Sequence, residues 1–343
     1  VAADPLETFD RWKDFDDRFQ FVAACQELVS ARNNPQFITR LPVFLDGTAN
    51  GIQHLACLTK DEESGELVNL LVLDERRDIY EEVAGRVKSR LNKATDEDAS
   101  YWRAEDYKRL TRKMIKTPVM AFCYAISRKR IWENIREEYA KKHGKQEKPS
   151  TEQVVYLEKV IRETTQGLLP RPHKLMEYIQ GLAKLQASRG RPLEWKTPSG
   201  LPIGNRYYEP NLKTVELTLS GRRVQHRVAD GWKGDIRGDK ASNAAAANFV
   251  HSMDSAHLVH TANVAAAEGI VDIAVLHDCY GALAPQVLRF QQLVRRELAA
   301  MYLIFDVLGD LRRGCEPVPA NLQPPEPGKL DLEDIQKADY PYT

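Results

Sequence analysis

The chain is predicted to be an α+β protein, and three features of its 343 residues carry that prediction. Long stretches repeat apolar residues at helical spacing, as Ile79, Val83 and Val87 do within residues 76–93. Two short apolar runs, 42–45 and 273–276, have strand length, and each leads into an aspartate, Asp46 or Asp278. Between them Ser220-Gly221 sits amid alternating residues, a two-residue turn signal for a β-hairpin.

The first forty residues read as helical, anchored by Phe9, Trp12, Phe15, Phe19 and Phe21, with Asp4 as cap and Pro5 in the first turn. A strand follows at 42–45 and a helix from about Gly51. Residues 101–142 form a long helical region that Pro118 is expected to interrupt, because an interior proline lacks the N–H its helix needs. Residues 153–185 are helical with a break around 170–172. The Pro-, Gly- and Asn-rich segment 195–208 reads as a loop. In the hairpin, Leu219 opposes Arg222, Leu217 opposes Val224 and Glu216 opposes Gln225. One face is then largely apolar (Val215, Leu217, Leu219, Val224), and the other offers Thr214, Glu216, Thr218, Arg223, Gln225 and Arg227. Residues 230–240 read as a Gly-rich charged loop and 242–267 as an alanine-rich helix. A strand–turn–strand around Asp278, a helix over 285–307 and a Pro-rich tail complete the chain.

The length allows one large domain or two. With 29% charged residues and apolar runs far shorter than the roughly 20 residues of a spanning helix, membrane burial is excluded as a reading. The 49 Lys and Arg balance 49 Asp and Glu, a total that does not favour nucleic acid. Distribution outweighs the sum, however: 103–148 is rich in Arg and Lys, whereas 316–339 is acidic. Five cysteines, odd in number and without a close pair, point to buried thiols in a reducing compartment rather than to disulfides or zinc.

Two aspartates at strand ends, with a basic helix between them in sequence, are suited to nucleotidyl transfer with two divalent ions. Gly47 after Asp46 lets a ligand approach the backbone. Paired carboxylates repel unless cations neutralise them, and oxygen ligands of this kind suit Mg²⁺. Asp278, at the tip of its turn, is expected to be exposed and cheap to solvate. Arg112 and Lys116 are four residues apart, hence on one helical face. Tyr124 lies two turns beyond Lys116, rotated by roughly 80°. Taken alone, each piece has a plainer reading: a cap aspartate, a turn aspartate, a basic surface helix. His251 shares a helical face with Asp254 and Ser255, while His257 and His260 read better as satisfied helix histidines than as metal ligands.

Together these segments resemble the single-subunit DNA-dependent RNA polymerases of bacteriophages and mitochondria, in family order along essentially the whole chain. DGTANGIQH (46–54) is similar to motif A, the run 112–124 to motif B, and HDCYG (277–281) to motif C. FVHS (249–252), RDIY (77–80), TPSGLP (197–202) and the closing ADYPYT also fit. The resemblance implies a palm carrying Asp46, Gly47 and Asp278 as ligands of two Mg²⁺ ions, and helical fingers. It implies Arg112 and Lys116 on nucleotide phosphates, Tyr124 selecting ribose, and His251 and Tyr80 at the nucleotide. Arg223, Gln225, Arg227 and His277 are implied contacts to nucleic acid. The expected division is palm over 1–74, fingers over 75–240 and palm again over 241–343. Where the family has Gly after the motif B tyrosine, this chain has Ala125.

The function so implied is template-directed RNA synthesis, with DNA template, RNA transcript and ribonucleoside triphosphates as partners and the cytoplasm as location, a host's if the protein is phage-encoded. The family's thumb and promoter-binding region are expected to be absent, and a second polypeptide to supply them. Two alternatives stand beside this reading: a metal-dependent phosphohydrolase built on His277 and Asp278, and a non-catalytic nucleic-acid-binding module.

Overall fold

Helical spacing governs most of the chain, and the helices gather about one small sheet. The computed structural model describes residues 1–15, 17–104, 107–124, 126–144 and 148–343, among which are twelve α-helices and seven strands. Ala125 lies outside the described residues. In chain order come α1 (Arg18–Asn33), β1 (Pro42–Asp46), α2 (Asn50–Thr59), α3 (Glu62–Leu67), α4 (Ile79–Lys93), α5 (Glu97–Arg103), α6 (Arg112–Tyr124) and α7 (Arg128–His143). Next are α8 (Thr151–Leu168), α9 (Pro170–Ser188), β2 (Leu193–Lys196), β3 (Pro202–Asn205), β4 (Tyr208–Leu219) and β5 (Arg222–Ile236). The last are α10 (Gly238–Ala267), β6 (Ile273–Leu276), β7 (Cys279–Leu283), α11 (Val287–Ile304) and α12 (Val307–Arg313).

The central sheet is antiparallel in the order β1–β7–β6. Leu45, Tyr280 and Ala282 are buried on its inner face, where the Tyr280 ring meets Phe290 of α11 at 6.1 Å. Leu45 and Tyr280 stand opposite each other on that face, and a slip by one residue would turn one of them outward. α10 runs through the middle of the molecule and packs on α9, α11, α2 and α6. Its Phe249, Val250 and Met253 are fully buried.

Helix starts follow local chemistry. Asp78 caps α4 by accepting from the Tyr80 and Glu81 amides at 2.8 and 3.3 Å, and Ser150 with Gln153 forms a capping box on α8. Pro170 opens α9 at the expected break, where a missing N–H costs nothing. Asp4 accepts from the Glu7 amide, as a cap would, but only turns and a short 3-10 segment follow before α1.

Three expectations are corrected. Pro118 does not interrupt the helical region; it lies inside α6, and among the described residues the breaks fall at 104, at 107–111 and at Ile126, before Ser127 caps α7. Met114, Ile115, Val119 and Cys123 are buried on the same face as Pro118. Burial at roughly 1.5–3 kcal/mol per side chain outweighs the roughly 3 kcal/mol of one interior proline. Residues 195–208 are not simply a loop: β2 and β3 pair across a turn in which Gly200 has φ +88° and Thr197 accepts from the Leu201 amide. Most of 230–240 is strand rather than loop. Gly231 and Gly234 take left-handed φ values, and the ladder shifts register opposite them, so the glycines make bulges instead of ending β5.

The β4–β5 ribbon has the pairing the sequence predicts, Leu219 with Arg222, Leu217 with Val224 and Glu216 with Gln225. It projects from the body with both faces largely in solvent; Leu217 and Leu219 are exposed. All five cysteines are free, with Cys57, Cys123 and Cys315 buried and Cys25 and Cys279 half-buried. Among the described residues no helix is long and apolar enough to cross a membrane.

Trp102 locks α5 to α8: it is fully buried and its indole N–H donates to the Gln153 carbonyl at 2.9 Å. Trp102→Ala is expected to cost about 3–5 kcal/mol of unfolding free energy, measurable by urea titration.

Candidate active site

β1 and β7 pair so that Asp46 faces Cys279, which sets Asp278 one residue from the end of β1. The Gly47 amide donates to the Asp278 carbonyl at 3.1 Å, and a Cβ on Gly47 would lie 3.2 Å from the Asp278 carboxylate. The tight approach therefore depends on glycine. His277 takes φ +54° at the tip of the hairpin and is exposed. The closing segment braces the other side: Gly47 bridges to Tyr342, and the Thr48 amide donates to the Pro341 carbonyl at 3.1 Å.

Asp278 is half-buried rather than exposed, contrary to expectation. Burial, followed by the neighbouring Asp46 charge, pushes its carboxyl up to about 6. Burial also raises Asp46, against the opposing pull of Lys116, the Gly47 amide and Arg76. Folding thus creates a pair of strained carboxylates that calls for positive charge.

α6 supplies part of that charge. Arg112 and Lys116 lie on one face, as their spacing requires, and both stand over the Tyr80 ring, at 5.0 and 5.6 Å from its centroid. Arg112 also donates to Asp78 through Nε at 3.1 Å and through a second guanidinium nitrogen. Lys116 makes no ion pair among the described residues. Farther along α6, Tyr124 stacks on His251 of α10, with ring centroids 4.7 Å apart and planes 5° from parallel. The Gly51 amide, in the first turn of α2 where helical partners are lacking, points at the Tyr124 oxygen.

Asp46, Gly47, Tyr80, Arg112, Lys116, Tyr124 and Asp278 all line one cleft of about 330 Å³. His251 joins it through the Tyr124 ring. Arg223, Gln225, Arg227 and His277 are not among the lining residues; the first three are on the projecting ribbon, where Gln225 donates to Glu216 at 2.8 Å. The sequence reading passed over Asn50, Arg76 and Met120, which also line the cleft, and the structural part of Asp254. Asp254 accepts from the Asn50 side-chain Nδ2 at 2.8 Å and is raised by burial. The Asn50–Asp254 contact spans distant segments and had no local signal.

The donor set fits a hard cation. Two carboxylates and the Gly47 backbone at one cleft mouth are oxygen ligands, and both carboxyls are raised by burial, as a site built around positive charge would show. Among the described residues no group of three or more His, Cys, Asp and Glu side chains is placed to hold a metal ion, so Asp46 and Asp278 are the carboxylate side chains this cleft offers, beside the Gly47 backbone.

A profile of the family described as DNA-dependent RNA polymerase matches residues 1–323. The chain belongs to the DNA-dependent RNA polymerase family. It is 30% identical to the DNA-directed RNA polymerase of Pseudomonas phage phiKMV over 89% of this chain and 38% of that protein. It is 28% identical to DNA-directed RNA polymerase 2, chloroplastic/mitochondrial, of Arabidopsis thaliana over 98% of this chain and 34% of that protein. To the mitochondrial DNA-directed RNA polymerase of Mus musculus it is 27% identical over 88% of this chain and 25% of that protein. The chain thus spans about a third of the length of such relatives, which are longer polypeptides, and the expected second polypeptide gains no support from them.

Beneath the cleft of this polymerase-family chain lie two fully buried imidazoles. His257 donates through Nε2 to the Val294 carbonyl at 2.8 Å, which leaves Nδ1 to accept from the Tyr280 hydroxyl at 3.1 Å. His54 meets the Tyr302 hydroxyl at 2.7 Å. Burial depresses both, His257 to about 4 and His54 well below its ordinary value. Neither resembles a metal ligand.

Two outcomes follow from this geometry. A Cβ at Gly51 would stand 2.9 Å from both the Tyr124 oxygen and the Cys123 Cβ. Gly51→Ala should therefore cost about 1–3 kcal/mol in urea unfolding through overpacking and displace the tyrosine from His251. The second concerns acid. Above the unfolded pKa His257 is neutral in both states; as pH falls from about 6.5 to about 4 the unfolded chain takes up the proton first, so stability falls by up to about 3 kcal/mol. Unfolding free energies of wild type and of His257→Gln, which cannot titrate, should diverge by this amount across that window, the slope left in the variant being that of His54 and of the raised carboxyls.

Proposed function

We propose that the chain carries the nucleotidyl-transfer centre of a DNA-dependent RNA polymerase, adding ribonucleotides to an RNA 3′ end opposite a DNA template with release of pyrophosphate. The observation that carries this reading is the convergence of Asp46 and Asp278, far apart in sequence, at one cleft also lined by Lys116, Arg112 and Tyr124. Family membership supports it.

Asp46, Asp278 and the Gly47 carbonyl would hold two Mg²⁺ ions. Ions so held supply positive charge to the attacking and leaving oxygens of an in-line displacement. Lys116, free of ion pairs among the described residues, faces the triphosphate and offsets charge that grows on the leaving pyrophosphate. Arg112 reaches the same space while its guanidinium is oriented by Asp78. With the Gly51 amide at its oxygen, the Tyr124 phenol can turn its own proton toward a sugar hydroxyl, and His251 keeps the ring flat against α10.

In this reading the palm comprises residues 1–74 and 241–343, the fingers 75–240, and the β4–β5 ribbon presents Arg223, Gln225 and Arg227 on one face to a DNA groove. His277, beside the metal-binding aspartate, touches the nucleic acid. The cytoplasm is the proposed location.

Primer extension on a preformed RNA–DNA hybrid with Mg²⁺ and ribonucleoside triphosphates tests the assignment. Template-matched extension is expected, and template-free hydrolysis of the triphosphates in its place would favour a phosphohydrolase. Asp278→Asn should lower extension about a thousandfold or more, because it removes half of the carboxylate charge from the pair. Unchanged extension by that variant would remove Asp278 from the chemistry.

A further inference from the structure

Arg76 stands where two clefts meet. It lines the site cleft with Asp46, Lys116 and Asp278, and it also lines a neighbouring, more open cleft that runs past α3 and α4. Every other arginine in the two linings is held by a carboxylate. Arg112 is bound to Asp78, Arg77 to Glu66 at 3.0 Å, and Arg86 to Glu82 at 2.7 Å. Arg76 makes no hydrogen bond, ion pair or ring contact among the described residues and is exposed. It directly precedes Arg77, whose amide donates to the Asn69 side chain at 2.7 Å, so the backbone beneath it is anchored while the guanidinium stays free.

The charges around it give this freedom a direction. The neighbouring cleft sets Glu63, Glu66, Asp78, Glu81 and Glu82 against Arg76, Arg77 and Arg86, a net acidic lining that disfavours a polyanion. The site cleft sets Lys116, Arg112 and Arg76 against Asp46 and Asp278, so its lining is not net acidic. A polyphosphate chain entering the site meets its first unengaged guanidinium at Arg76, and a guanidinium grips phosphate oxygens in a bidentate manner.

We propose that Arg76 is a phosphate-positioning residue that holds the outer phosphates of the incoming nucleoside triphosphate and the pyrophosphate released from it. The inference rests on the polymerase reading for the nature of the substrate, but its test does not need turnover. Arg112, locked to Asp78, orients the wall of the cleft, and Arg76 takes the mobile end of the ligand.

The test is equilibrium binding to this chain, with Mg²⁺, of adenosine monophosphate, of the non-hydrolysable α,β-methylene analogue of ATP and of inorganic pyrophosphate. Wild type should prefer the triphosphate analogue to the monophosphate. Arg76→Ala should weaken the triphosphate analogue and pyrophosphate about tenfold, leave the monophosphate and the thermal midpoint unchanged, and be partly rescued by Arg76→Lys. Equal weakening of all three ligands, no weakening, or a wild type without triphosphate preference would overturn the proposal. Primer extension run in parallel separates the two ideas. If wild type binds the series as expected yet extends no primer, the polymerase reading fails and Arg76 stands. If wild type extends but Arg76→Ala keeps its KM for nucleoside triphosphates and its binding, Arg76 fails and the polymerase reading stands.

Discussion

Two carboxylates side by side in a half-dry crevice repel one another, and much of the cleft is arranged about that repulsion. The arrangement begins away from the charges. Leu45, Tyr280 and Ala282, buried against α11, fix the β1–β7 register, and the register decides that Asp46 and Asp278 end at the same place. The folded chain cannot relieve the crowding by sliding a strand, because sliding would expose the aromatic and aliphatic face beneath. Relief must come from positive charge, and Lys116 and Arg76 stand in the same lining to provide part of it.

The floor of the cleft is polar and buried, and hydrogen bonds within the protein tie its elements together while leaving Asn50 Oδ1, Gln53 Oε1 and His54 Nε2 without protein partners. α10 has two neighbouring roles one turn apart. His251 supports the Tyr124 ring, and Asp254 accepts from the Asn50 side chain. Deeper still, His257 links Tyr280 of the sheet to the backbone of α11. Gln53 ties the loop after β1 to the Val68 and Pro341 carbonyls. Such a floor holds the strand ends still, since each buried polar group loses the full desolvation cost if its partner moves. The basic lining differs: Arg112 is bound to Asp78, whereas Lys116 and Arg76 make no ion pair among the described residues, so the cleft keeps capacity for an anionic ligand.

How far the sequence could be read depended on the range of the interaction that decided each element. The β4–β5 register was legible because a two-residue turn fixes it locally, and the shared face of Arg112 and Lys116 because helical spacing does. The strands leading to Asp46 and Asp278 were legible from their apolar runs. Pro118 misled, because a local penalty was outweighed by burial of a helix face that only the tertiary structure shows. The glycines at 231 and 234 suggested a loop, and pairing with β4 turned them into bulges. The half-burial of Asp278 arises in part from Asp46 and Gly47, more than two hundred residues away, and the isolation of Arg76 is visible only once Arg77, Arg86 and Arg112 of the two cleft linings have found their carboxylates.

Strand ends are well suited to the task proposed for Asp46 and Asp278. Neighbouring antiparallel strands hold their Cα atoms about 4.5–5.5 Å apart, close to the roughly 3.5–4 Å between ions in a two-metal centre. A pair of aspartates at such ends can therefore share ions without distortion of either backbone. The price is a chronic like-charge contact in the absence of ligand, seen here as the raised Asp278 carboxyl. The same contact favours occupancy by cations over occupancy by protons once the pH exceeds the shifted value near 6. Placing the carboxylates on a sheet and the cations on helices also divides the labour. The sheet, locked by its buried face, keeps the acidic pair fixed, while α6 and the segment before α4 can adjust long basic side chains to a ligand without disturbing that pair.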